Sequence, residues 1–142
     1  MQSLPTTTAS GMTPEVQAAV EEIRSAFPGH ITVEAEEQGG AYVILDIVEL
    51  GDTYSPSSSW IGFLITFQYP DADVYPHFID GSVRRCDGTN HAEGVSGPTD
   101  WRGRSALQLS RRSNRWNAAT DTALLKLNKV LEWFRAGCPK SR

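Results

Sequence analysis

FQYPDADVYPHF, residues 67–78, closes an apolar run and places two Tyr-Pro pairs, Tyr69-Pro70 and Tyr75-Pro76, six residues apart. Proline has no N–H to give a sheet ladder, so it sits at strand ends and turns rather than inside a central strand. The stretch is therefore where one strand leaves its sheet, turns, and starts another extended segment.

Upstream, WIGFLITF (60–67) is a strand with apolar residues on both faces, which predicts a central position with a helix against one side. A polar loop over 51–59 joins it to AYVILDIVEL (41–50), rich in β-branched residues. Gln38-Gly39-Gly40 turns that strand back to Ile31, Val33 and Ala35, which alternate with Thr32, Glu34 and Glu36 as a half-buried strand does. Thr13-Pro14-Glu15 starts a helix: a capping hydroxyl, proline at the first helical position, and an acid at the positive end of the dipole. Val16, Ala19, Val20, Ile23 and Phe27 form its apolar stripe, and Pro28-Gly29 ends it.

Downstream, PHFI (76–79) predicts a short fourth strand. From Asp80 to Arg115 glycines punctuate the chain without a sustained period, which predicts a long irregular loop broken by one short extended piece at 106–109. RWNAATDTALLKLNKVLEWFRAG then predicts a helix capped by Asn117 or Thr120. Its stripe is Ala123, Leu124, Leu127, Val130, Leu131 and Phe134, and Gly137 and Pro139 end it. A helix, a four-stranded antiparallel meander, a long loop and a C-terminal helix make an α+β fold.

With 142 residues, 39% of them apolar, there is room for one core. The domain is expected over 13–137, with a disordered Ser/Thr-rich tail over 1–12 and a C-terminal tail over 138–142. No run is long enough to span a bilayer, and no secretory signal is present, so a cytoplasmic setting without membrane contact is expected. Cys86 and Cys138 are too few for a disulfide scaffold. With three scattered histidines they make no metal-ligand spacing, and no cofactor motif appears. Residues 1–83 carry twelve Asp/Glu against Arg24 alone, a net of −11, whereas 84–115 carry a net of +4. A pI near 5.3 argues against nucleic acid as the partner, and the asymmetry predicts two faces for different protein partners.

The joint motifs carry a resemblance. ITFQYPDADVYPHF and NRWNAATDTALLKL resemble the ubiquitin-conjugating (E2, UBC-like) superfamily, in which a Tyr-Pro turn follows the third strand and a tryptophan leads into the next helix. On this resemblance Tyr69, Pro70, Pro76 and Trp116 are structural. LSRRSNRW running into the last helix is most similar to divergent bacterial E2-like proteins. That implies a ubiquitin-like conjugation pathway, with a ubiquitin-like protein and an E1-like activating enzyme as partners, an unknown target, and a role in antiviral defence.

Such an enzyme works as a transferase: its cysteine thiolate takes the modifier's C-terminal carbonyl as a thioester. In the family that cysteine lies about eight residues before the tryptophan, after a His-Pro-Asn turn. Here the position is Gln108, and no His-Pro-Asn occurs. Cys86, in VRRCDGTNH, is the substitute: Arg84 and Arg85 favour a thiolate, while Asn90 and His91 offer an oxyanion donor and a proton acceptor. Against this stands a loop thiol without a role, and Cys138 is read as incidental. Arg102, Arg104, Arg111 and Arg112 are expected to form a dock for an acidic partner surface or a terminal carboxylate. Two readings follow: a conjugating transferase using Cys86, or a catalytically inactive UBC-like or RWD-like adaptor. An unrelated α+β fold without conjugation chemistry is the third.

Overall fold

Thr13 Oγ1 accepts from the Val16 amide at 3.1 Å and opens helix α1 (Pro14–Ala26), as the Thr-Pro-Glu start predicts. The computed structural model describes residues 11–113 and 115–139; of the expected tails at 1–12 and 138–142, residues 1–10 and 140–142 lie outside the described residues. After α1 come β1 (Ile31–Ala35), β2 (Ala41–Glu49), a short β3 (Tyr54–Ser55), β4 (Ser58–Ile65) and β5 (His77–Asp80). A short β6 (Arg84–Arg85), β7 (Val95–Trp101), β8 (Arg104–Leu109) and helix α2 (Ala123–Arg135) follow. The fold is α+β.

The main sheet has six strands in the order β1-β2-β4-β5-β8-β7, and its pairings are antiparallel. The expected four-stranded sheet is thus a six-stranded one, in which β4 lies between β2 and β5. The expected irregular loop over 80–115 is corrected: it holds a hairpin, β7–β8, that extends the sheet, and β6, which pairs with β3. The hairpin hides in the sequence because β7 is an edge strand with a polar, exposed pattern. Gly97-Pro98 falls in its register shift between Ser96 and Thr99, where a missing N–H breaks no ladder bond.

Alternation along the strands gives the sheet two faces. On the inner face Val43, Leu45, Ile61, Phe63, Ile65, Ile79, Leu107 and Leu109 form one core with Val16, Val20 and Ile23 of α1 and Leu127, Val130 and Phe134 of α2. The outer face has its own small apolar cap. Trp101, at the end of β7, stacks on Phe78 (centroids 4.9 Å apart) and on Trp60 (5.9 Å). Gly62 makes the seat, because a Cβ there would come within 2.4 Å of the Trp101 ring.

Helix α2 begins later than the caps read from sequence. Thr122 is the cap, its Oγ1 accepting from the Leu125 amide at 3.1 Å. Asn117 instead closes a turn with Asp121, whose Oδ2 accepts from the Asn117 amide at 2.8 Å. The packed unit also passes the expected boundary at 137: Cys138 is 6% exposed and belongs to the core.

Candidate functional site

The Tyr-Pro turn is tied to the start of α2. Tyr69 Oη accepts from the Ala123 amide at 3.0 Å, and Trp116 Nε1 donates to the Pro70 carbonyl at 2.7 Å. Tyr69, Pro70 and Trp116 are therefore one joint, while Pro76 immediately precedes β5. A cluster that the sequence reading missed lies beside it. Lys126, on the buried face of α2, gives its ammonium to both Asp73 carboxylate oxygens, at 2.8 and 2.9 Å, and to Ser113 Oγ at 2.7 Å. Burial pulls the Lys126 ammonium below its ordinary range, and Asp73 pulls it partly back. A lysine at a stripe position between Ala123 and Val130 was the available signal.

His77, read from sequence as a strand residue, is fully buried in β5 against Phe63, and neither ring nitrogen has a hydrogen-bond partner. Burial, then the Lys126 charge, push its imidazole down to about 3, with Asp73 opposing, so it is neutral.

Cys86 is exposed at the end of β6, its amide donating to the Thr53 carbonyl at 2.8 Å. Arg85 turns its Nε to Thr89 Oγ1 at 3.0 Å and lies 3.8 Å from Asp87. Of the expected proton acceptor, one ring nitrogen is engaged away from Cys86 and the other, Nδ1, is buried without a partner. His91 Nε2 lies 2.9 Å from the Val83 carbonyl, and its ring packs on Tyr54 and Phe134. Among the described residues no side-chain hydrogen bond joins Cys86 to Asn90 or His91. Asn90 is exposed. Cys138 lies in the core with its Sγ 3.8 Å from Tyr54 Oη, and burial pushes its thiol up.

Gln108 is in β8, paired with Phe78 and Ser96, its side-chain amide donating to Ser110 Oγ at 3.1 Å. Beside it Ala106 is fully buried.

The four arginines read as one dock stand on different sides of the sheet. Arg102 and Arg104 are on the outer face: Arg102 lies 3.7 Å over the Tyr42 ring and pairs with Glu34, and Arg104 lies 4.9 Å over Trp60. Arg111 and Arg112 accompany α2, with Arg111 5.5 Å from the Trp133 ring centroid and Arg112 4.3 Å from that of Tyr75. No helix among the described residues is long and apolar enough to cross a membrane. Scans against protein families, curated proteins and solved structures give no match to this chain.

Proposed function

We propose that the chain is a UBC-like protein-binding module of a ubiquitin-like conjugation pathway. It positions a ubiquitin-like protein or its E1-like activating enzyme without carrying a thioester itself. The order of helix, antiparallel strands, Tyr-Pro joint and tryptophan-led helix supports the family reading. One observation carries the choice of adaptor over transferase. Where the family keeps its cysteine, this chain has Gln108, an amide hydrogen-bonded within a sheet strand. Acyl transfer needs a nucleophile with a proton acceptor and an oxyanion donor in reach. Among the described residues no side-chain hydrogen bond joins Cys86 to His91, whose Nε2 faces the Val83 carbonyl and whose Nδ1 is buried without a partner.

The exposure of Cys86 favours a second reading, a transferase that gathers its missing groups from a partner. Incubation with an E1-like enzyme, a ubiquitin-like protein and ATP separates the two by intact mass and by affinity capture. Capture of either protein without an adduct is the expected result. An adduct lost with reductant and in Cys86→Ala, and kept in Cys138→Ala, would replace the adaptor by the transferase. Neither capture nor adduct would remove the chain from the pathway.

A further inference from the structure

The tip of the β7–β8 hairpin crosses the outer face of the sheet. The indole of Trp101 stands between Trp60 and Phe78, nearly parallel to both, with 13° and 15° between the planes, and meets the Tyr42 ring edge-on at 6.4 Å. Gly62 is the floor of this slot, bare of the Cβ that would fill it. The next residue, Arg102, carries its cation on to Tyr42 of β2 and to Glu34 of β1, the far edge of the sheet. The tip is therefore a strap laid over β5, β4, β2 and β1, on the face opposite the two helices.

Side chains rather than backbone hold the strap. β5 pairs with β8 over 106–109, and the Gly81 amide donates to the Ser105 carbonyl at 2.9 Å; among the described residues, 101–104 pair only within the hairpin. A register shift between Ser96 and Thr99 separates the tip from the rest of β7. Arg102 sits at a φ of 53°, a left-handed conformation that costs energy in a residue with a Cβ. Its pair with Glu34 is 33% and 57% exposed, where solvent screens it. A unit with few backbone bonds, a strained turn and exposed contacts opens without unfolding the sheet behind it.

Opening empties a slot of defined chemistry. Two near-parallel rings with one ring's width between them select a flat aromatic side chain, and Tyr42 with Glu34 select a cation beside it. Residues 1–83, which supply all of these groups, carry a net of −11, so the surrounding field also favours a cationic segment. We propose that the outer face is a docking site for a partner segment in which an aromatic residue, tryptophan foremost, is followed by a cation, and that the chain's own Trp101-Arg102 masks this site until the strap lifts. What fills the slot now defines what it takes. The partner's apparent affinity is lowered by the fraction of chains in which the strap is closed. The inference goes beyond the conjugation reading and stands whether or not that reading does.

The probe is an end-blocked Asp-Trp-Arg-Gly peptide, the sequence of 100–103, followed through the amide NMR shifts of Ile44, Gly62 and Phe78. Trp101→Ala with Arg102→Gly empties the slot and is expected to bind the peptide at least about tenfold more tightly than the unchanged chain. Asp-Ala-Arg-Gly and Asp-Trp-Glu-Gly peptides are each expected to bind more weakly. Gly62→Ala in the emptied chain, where no Trp101 ring remains to clash with the added Cβ, is expected to remove binding. Arg102→Glu sets two carboxylates together at the far end of the strap and leaves Trp101 in place. Its affinity is expected to fall between those of the unchanged and emptied chains, and it serves alone if the emptied chain does not fold. Equal affinity of the unchanged chain and either folded variant, no preference for the tryptophan peptide over the alanine one, or full binding after Gly62→Ala would each overturn the proposal. A dimer of the Arg102→Glu chain that the peptide dissolves would give the slot to a second copy and overturn the choice of partner.

Discussion

The indole N–H of Trp116 donates to the carbonyl of Pro70 at 2.7 Å, across 46 residues of sequence. This bond and the one from the Ala123 amide to Tyr69 Oη fasten the strand exit to the first turn of α2. Trp116→Phe keeps the ring beside Tyr69 and drops one hydrogen bond, an expected loss of about 1 kcal/mol. Tyr69→Phe leaves the Ala123 amide without an acceptor at the buried helix start, an expected loss of about 1–3 kcal/mol. Amide exchange over 123–126 should rise in Tyr69→Phe more than in Trp116→Phe. The opposite order would mean that the tryptophan, not the tyrosine, seats the helix.

Lys126 and Asp73 form an ion pair whose lysine side chain is 2% exposed and whose aspartate is 16% exposed. Removing the aspartate strands a buried cation, so Asp73→Ala is expected to cost about 3–5 kcal/mol in urea unfolding. Lys126→Met puts an apolar chain of similar length into the same space and leaves the more exposed partner, Asp73, still accepting from the Ser113 amide. Its loss should be the smaller one. If Lys126→Met proves the costlier change, the pair stabilises through its charge rather than through packing.

His77 makes stability depend on acid. Its folded value, about 3, lies below its ordinary 6.5, so the unfolded chain takes up a proton that the folded chain refuses. The contribution is whole above pH 6.5 and is lost as pH falls from there toward 3. Between pH 6.5 and about pH 4 this group alone is expected to remove about 3 kcal/mol. His77→Leu should flatten that part of the profile relative to the unchanged protein, measured by urea midpoints across the window. Parallel profiles would assign the acid sensitivity to carboxylates.

The two thiols should differ in reactivity. Cys86 is exposed, whereas Cys138 is buried beside Tyr54 with its thiol pushed up, and only a thiolate attacks an alkylating agent. Iodoacetamide on the native protein should give one adduct, absent in Cys86→Ala, with Cys138 reacting once denaturant is added. Native labelling of Cys138 at a matching rate would show that the C-terminal end opens readily.

The elements with a regular period were legible in the sequence. Thr13-Pro14 set the start of α1, and alternation and β-branching marked β1, β2 and β4, because these signals act over neighbouring residues. The Tyr-Pro pairs marked the exit from β4, since proline excludes a central ladder on its own chemistry. Tertiary structure decided the rest. Val95–Trp101 becomes a strand because β8 offers it an edge, which its polar side chains and Gly97-Pro98 do not announce. Thr122 caps α2 where Asn117 and Thr120 were equally good on local grounds, because Tyr69 stands ready to receive the Ala123 amide. Cys138 is buried because the chain beyond α2 turns back: the Cys138 amide reaches the Trp133 carbonyl, and Trp133 Nε1 donates to the Pro139 carbonyl. The arginines part company for the same kind of reason. Four like residues within eleven positions look like one patch in a sequence, but β8, from Arg104 to Leu109, carries the chain away between the two pairs. It leaves Arg102 and Arg104 over the outer aromatics and delivers Arg111 and Arg112 to the side of α2. Local chemistry determines what a segment can be; which face it serves depends on partners far away in sequence, and only packing brings those partners together.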